Sequence, residues 1–206
     1  MLDPSSHLNS SRLLQLAIAG DGASLETLMS LYVGYLNVLA RAHFDQRLRR
    51  RLTATDVVQD TLMEAHQGFA KFSGTTTAEF TGWLRIILVH NMARQIETHV
   101  LAAKRDVRRE RHFGELSESV NQTSMRMSSL MVDQRRSPSS EADHQESLVE
   151  LGNAIERLSP EHREVIVLRH LEGRPFPEIA EQLKRSPGAT RMLWLRAIER
   201  LRSEMK

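Results

Sequence analysis

Apolar residues recur at steps of three and four along most of this chain, and that period commits it to helices. The clearest run is Leu25, Leu28, Met29, Tyr32, Leu36 and Leu39, which puts one apolar face over residues 24–44. A shorter helix precedes it, carrying Leu13, Leu14, Leu16, Ala17 and Ile18 and ending at Gly20. Asp21 and Ser24 suit the start of the second. A basic cluster follows: Arg47, Arg49, Arg50 and Arg51. Thr53 and Asp56 have the spacing of a capping box, with Asp in place of the longer Glu. The helix they start carries Val58, Leu62, Ala65 and Phe69 on one stripe. Gly74 and Thr75 to Thr77 form a loop, and a long helix over 78–103 turns Phe80, Leu84, Ile87 and Ile96 inward.

Between residues 105 and 142 the period collapses into Ser, Arg, Glu and Gln, with Ser137-Pro138-Ser139-Ser140 a poor core segment. That composition predicts a linker, flexible or only locally ordered, in which Met125, Met127, Leu130 and Met131 form at most one amphipathic turn. The period returns with Leu148, Leu151, Ile155 and Leu158. Ser159-Pro160 supplies an N-cap and a first-position proline, and Gly173 stops the helix that follows. A short helix over 177–183 precedes a second such start, Ser186-Pro187. The last helix turns Leu193, Trp194, Ala197, Ile198 and Leu201 inward. A short helix, a tight turn and a longer basic helix make a helix-turn-helix. The expected fold is all-α: two small helical domains, 1–104 and 143–206, joined by a flexible linker over 105–142.

Charge distribution narrows the function. The chain's formal charge is only +2. Residues 143–181 hold 4 Lys/Arg against 9 Asp/Glu, a net of −5, while residues 182–206 hold 7 against 2, a net of +5. Basic residues gathered on one helix supply the footprint that phosphate binding requires, although a solvated helix face has the same composition. Cysteine is absent, which removes disulfides and thiolate metal sites. The nine histidines all lie more than four residues apart, so no pair shares a helix turn as metal ligands, and neither a phosphate loop nor a nucleophile elbow is present. No metal, cofactor or catalytic residue is expected. The start lacks a signal-peptide pattern, and the longest aliphatic run, Ile86 to Val89, is far too short for a membrane span, so a cytoplasmic chain is expected.

Two stretches carry a family resemblance. Asp56-Val57-Val58-Gln59-Asp60-Thr61-Leu62, followed by Phe72 and by Phe80-Thr81-Gly82-Trp83-Leu84-Arg85, resembles region two of bacterial sigma factors of the extracytoplasmic-function class. Leu158-Ser159-Pro160-Glu161-His162-Arg163-Glu164-Val165, then Leu168-Arg169 and Glu178-Ile179-Ala180-Glu181, resembles region four of the same family. The resemblance implies a transcription initiation factor whose partners are RNA polymerase core enzyme and promoter DNA, and in many family members an anti-sigma protein. It implies that Asp56, Gln59, Asp60 and Met63 dock on the polymerase. It implies that the first domain captures the minus-ten promoter element, with Phe72, Thr75, Thr76, Thr77, Trp83, Arg85, His90, Asn91 and Arg94 as candidates. Trp83 fits either the core or a base-stacking surface, and either His90 or Asn91 occupies the family's DNA-facing position. By the same resemblance the last helix enters the major groove at the minus-thirty-five element, with Ser186, Thr190, Arg191, Met192, Leu195, Arg196 and Arg200 as candidates. Ala189 and Met192 stand where the family often has Thr and Ser, and Thr190 also suits the edge of the core. The competing reading is a helix-turn-helix regulator without sigma activity; an enzyme and a protein-binding adaptor are weaker rivals.

Overall fold

A computed structural model describes residues 5–43, 53–100, 107–132 and 141–205. Among these residues the chain is all-α, with no strand. Helix α1 spans Ser5–Ile18, α2 Gly22–His43, α3 Ala54–Gly68 and α4 Thr77–Val100. Helix α5 spans Val107–Val132 and α6 Glu141–Arg157. Helix α7, Pro160–Ile166, runs into a π-helical turn over Val167–Leu171, and α8, Phe176–Gln182, precedes α9, Pro187–Glu204. The basic cluster at 47–51 lies outside the described residues.

The expected capping box forms. The Asp56 N–H donates to the Thr53 hydroxyl at 3.2 Å, and the Thr53 N–H donates back to the Asp56 carboxylate at 2.7 Å. Val57, Val58, Thr61 and Ala65 are the buried stripe of α3, which packs against α2 and α4.

Much of the window expected to be a linker is instead helix α5. Its inward residues are Val120, Thr123, Ser124, Met127 and Leu130. Thr123 and Ser124 are polar, and they are satisfied by partners distant in sequence. Thr123 bonds His43 at 2.8 Å, and Ser124 bonds Tyr35 at 3.2 Å and accepts from Arg85 at 3.1 Å. Buried hydroxyls with such partners lose little on leaving water, so Thr123 and Ser124 interrupt the apolar face of Val120, Met127 and Leu130 without preventing its burial.

One hydrophobic core runs from Leu14 on α1 to Leu201 on α9, continuous across both halves of the chain. The junction is the crossing of α2 and α6, where two glycines let the backbones meet. A Cβ on Gly34 would lie 2.7 Å from the Asn153 Cα, and one on Gly152 would lie 2.5 Å from the Tyr35 Cα. Around this crossing Asn153 donates to the Leu31 carbonyl at 2.7 Å, and Arg41 pairs with Glu156 at 3.0 Å. Arg126 on α5 ties the π-helical turn to the bundle through the Leu171 carbonyl at 2.8 Å.

Candidate nucleic-acid interface

Helices α8 and α9 form the expected helix-turn-helix. Between them Lys184 adopts the left-handed conformation, with φ 52°. This lets the Arg185 N–H reach the Ala180 carbonyl at 2.9 Å and the Lys184 N–H reach Glu181 at 3.1 Å, closing the end of α8. Ser186 then caps α9, accepting from the Ala189 N–H at 3.2 Å, with Pro187 at the first helical position. Thr190, Leu193, Ala197 and Leu201 fix the buried face of α9.

Opposite that face, Arg191, Met192, Leu195, Arg196 and Arg200 are exposed as expected. Their surroundings differ. The Arg191 guanidinium lies over the Phe176 ring, 5.7 Å from its centre. Phe176 also packs edge-on to Trp194, whose indole N–H donates to His170 at 2.9 Å. This aromatic support for Arg191 was not singled out in the sequence; the only trace was a bulky residue just before Pro177. Arg200 pairs with Glu204 at 2.6 Å, one turn further on. Arg196 makes no ion pair among the described residues. Thr190 leaves the list of contacts: it is buried, and its hydroxyl donates to the Ser186 carbonyl at 3.0 Å.

In the N-terminal half, the loop before α4 rests on a nest of rings. Phe72 stacks on Phe69 at 5.7 Å and meets Trp83 at 5.2 Å, with Phe80 fully buried beneath them. Trp83 is half-buried, so it serves the nest and still shows an edge to solvent. The three threonines separate in role. Thr75 and Thr76 are exposed, and both donate backbone N–H groups to the Glu79 carboxylate, at 2.9 and 3.0 Å. Those bonds, the Thr75 backbone bond foremost, hold the Glu79 carboxyl below its ordinary pKa. Thr77 is buried and cannot face DNA.

His90 and Asn91 point in different directions. His90 is exposed and stacks on Phe113 at 4.4 Å, whereas Asn91 is buried and donates to Glu64 at 3.1 Å. Asn91 therefore also leaves the list. Arg85 turns toward α5 to reach Ser124, and Arg94 is exposed but pairs with Glu64 at 3.4 Å.

On α3 the polar candidates share one side. Gln59 and Met63 are exposed one turn apart, and Asp60 is half-buried, accepting from Gln95 at 3.5 Å. Asp56 is exposed, but its carboxylate is engaged by Thr53, whose backbone bond is the main cause of its lowered pKa. No group of metal-ligating side chains occurs among the described residues, and none of the described helices is long and apolar enough to cross a membrane.

Residues 148–201 match the family model described as sigma-70, region 4. The matched segment takes in most of α6, the helix-turn-helix and nearly all of α9. The match supports promoter recognition through DNA binding of the sigma-factor kind, and this family consists of non-enzymatic transcription initiation factors. A comparison with curated proteins finds no match.

Proposed function

We propose that this chain is a sigma factor of the extracytoplasmic-function type, which binds RNA polymerase core in the cytoplasm and directs it to promoters. The observation that carries the reading is the match of residues 148–201 to sigma-70 region 4, on a helix-turn-helix whose last helix has a basic outward face. In this reading residues 143–206 read the minus-thirty-five element through Arg191, Met192, Leu195, Arg196 and Arg200. Residues 1–104 dock on the polymerase through Gln59, Asp60 and Met63 beside Asp56. They grip the minus-ten strand near Phe72, Thr75, Thr76, Trp83, His90 and Arg94. An unstacked base finds an aromatic edge there and the Arg94 guanidinium along the same helix, the two elements of a single-strand site. An anti-sigma protein would act by covering either surface.

The match ends at residue 148 on the N-terminal side, and that favours one second reading, a DNA-binding regulator that needs no polymerase. Equilibrium binding separates them. A sigma factor forms a stoichiometric complex with purified core enzyme, and that complex selects promoter-like duplexes from a random pool. A plain regulator selects duplexes by itself and ignores the core enzyme, which would overturn the proposal.

A further inference from the structure

The outward strip of α9 is unusual for a helix expected to read base edges. Along its first turns the apolar residues opposite the buried Thr190 and Leu201 are Gly188, Met192 and Leu195. None carries a side-chain hydrogen-bonding group. Met192 is 50% exposed and Leu195 45%, two of the few large apolar side chains the fold leaves in water. Gly188 has open space where a Cβ would be, so the backbone itself is open to close approach. Arg191 and Arg196 flank the strip on either side; Arg185, at the turn before it, is paired with Glu161 at 2.7 Å. Glu199 follows two turns beyond Met192 on the same side.

An apolar strip bordered by guanidinium groups matches one surface in duplex DNA. The major groove presents the thymine C5-methyl between two rows of phosphates, and it is the one apolar group on a base edge. A bare protein partner would leave the flanking cations without counter-charges, whereas phosphates supply them. Resting on the reading of α9 as a groove-binding helix, we propose that this helix recognises A·T pairs by packing Met192 and Leu195 on thymine methyl groups. Arg196 positions the helix on phosphates, and the methyl contacts add sequence preference to that of Arg191.

The test removes the methyl group alone. Duplexes selected by the complex of full-length chain and core polymerase are resynthesised with deoxyuridine replacing thymine at one upstream position at a time. At roughly one or two positions the replacement weakens binding about fourfold, the value of burying one methyl group. In the Met192→Ala or Leu195→Ala chain, thymine and deoxyuridine bind alike at the matching position; both residues are exposed, so the fold survives. Equal binding of thymine and deoxyuridine duplexes at every upstream position by the unaltered chain overturns the inference. If Arg196→Ala still lowers the salt dependence in that case, the groove reading stands and only the methyl contact falls. If Arg196→Ala changes nothing, the groove reading falls with it.

Discussion

The backbone N–H of Gly34 donates to the side-chain oxygen of Asn153 at 3.1 Å, across the crossing of α2 and α6. The bond exists because Gly34 carries no side chain where Asn153 approaches, just as Gly152 carries none beside Tyr35. Two effects oppose each other in Gly34→Ala. Alanine favours an isolated helix by about 1 kcal/mol. The added Cβ, however, would sit 2.7 Å from a backbone atom of Asn153, which cannot swing away. Overpacking of this kind costs roughly 1–3 kcal/mol or more, so the clash prevails. Urea denaturation will show Gly34→Ala and Gly152→Ala each less stable than the parent; unchanged midpoints would refute the close crossing.

His43 makes stability depend on pH. Burial, and then the nearby Arg126 charge, lower its pKa from 6.5 to about 4. Its ring nitrogens bond Thr123 at 2.8 Å and Ser119 at 3.3 Å on α5. The unfolded chain takes up the proton below the ordinary histidine pKa, whereas the folded chain resists until about 4. Stability from this group is therefore full above pH 6.5 and falls toward pH 4, by on the order of 1 kcal/mol per pH unit. Denaturation curves between pH 5 and 7 will show a shallower slope for His43→Gln than for the parent. Parallel slopes would count against the buried neutral ring.

Polymerase docking through α3 is testable without disturbing the fold. Gln59 is exposed, and Asp60 holds only a long bond to Gln95. Replacing both with alanine will change stability by less than about 0.5 kcal/mol per site. The affinity for core enzyme will fall by roughly tenfold or more, as loss of an interface hot spot does. Undiminished affinity would remove α3 from the interface.

The arginines of α9 will separate by their partners. Arg196→Ala will lower the salt slope of DNA binding by about one unit, the effect of losing one phosphate contact. Arg200→Ala will lower it less, because that guanidinium is held by Glu204, which it shares with Arg157. Arg191 is steadied over Phe176, and Arg191→Ala will cost about 1–3 kcal/mol while relaxing preference at roughly one or two base pairs. A salt-slope change from Arg191→Ala with preference intact would make it a phosphate contact.

The period of three and four made α2, α3 and α4 legible, and cap residues marked the starts of α3, α7 and α9. Helix α5 escaped because its buried face includes Thr123 and Ser124, whose partners lie some 80 residues away in sequence. Local patterning carries no sign of such partners, so a polar stripe reads as solvent-facing. The same blindness affects the site. The resemblance makes Thr77 a DNA-facing candidate, Asn91 an alternative to His90, and Thr190 either a contact or a core-edge residue; all three are buried. Thr190 satisfies its hydroxyl on the carbonyl one turn back, which lets a small polar residue sit in a core. The outward arginines were legible because α9 has an unbroken buried stripe opposite them.

The central claim is that this chain confers promoter selection on RNA polymerase. The most direct measurement is run-off transcription by core enzyme from the source organism on a pool of random upstream sequences, with and without the chain. The expected result is discrete transcripts only when the chain is present, sharing two upstream sequence elements. Their yield will fall when Gln59 and Asp60, or Arg191, are replaced by alanine. Transcription that is identical with and without the chain, in the presence of a demonstrated chain–DNA complex, would contradict the claim and leave a DNA-binding regulator.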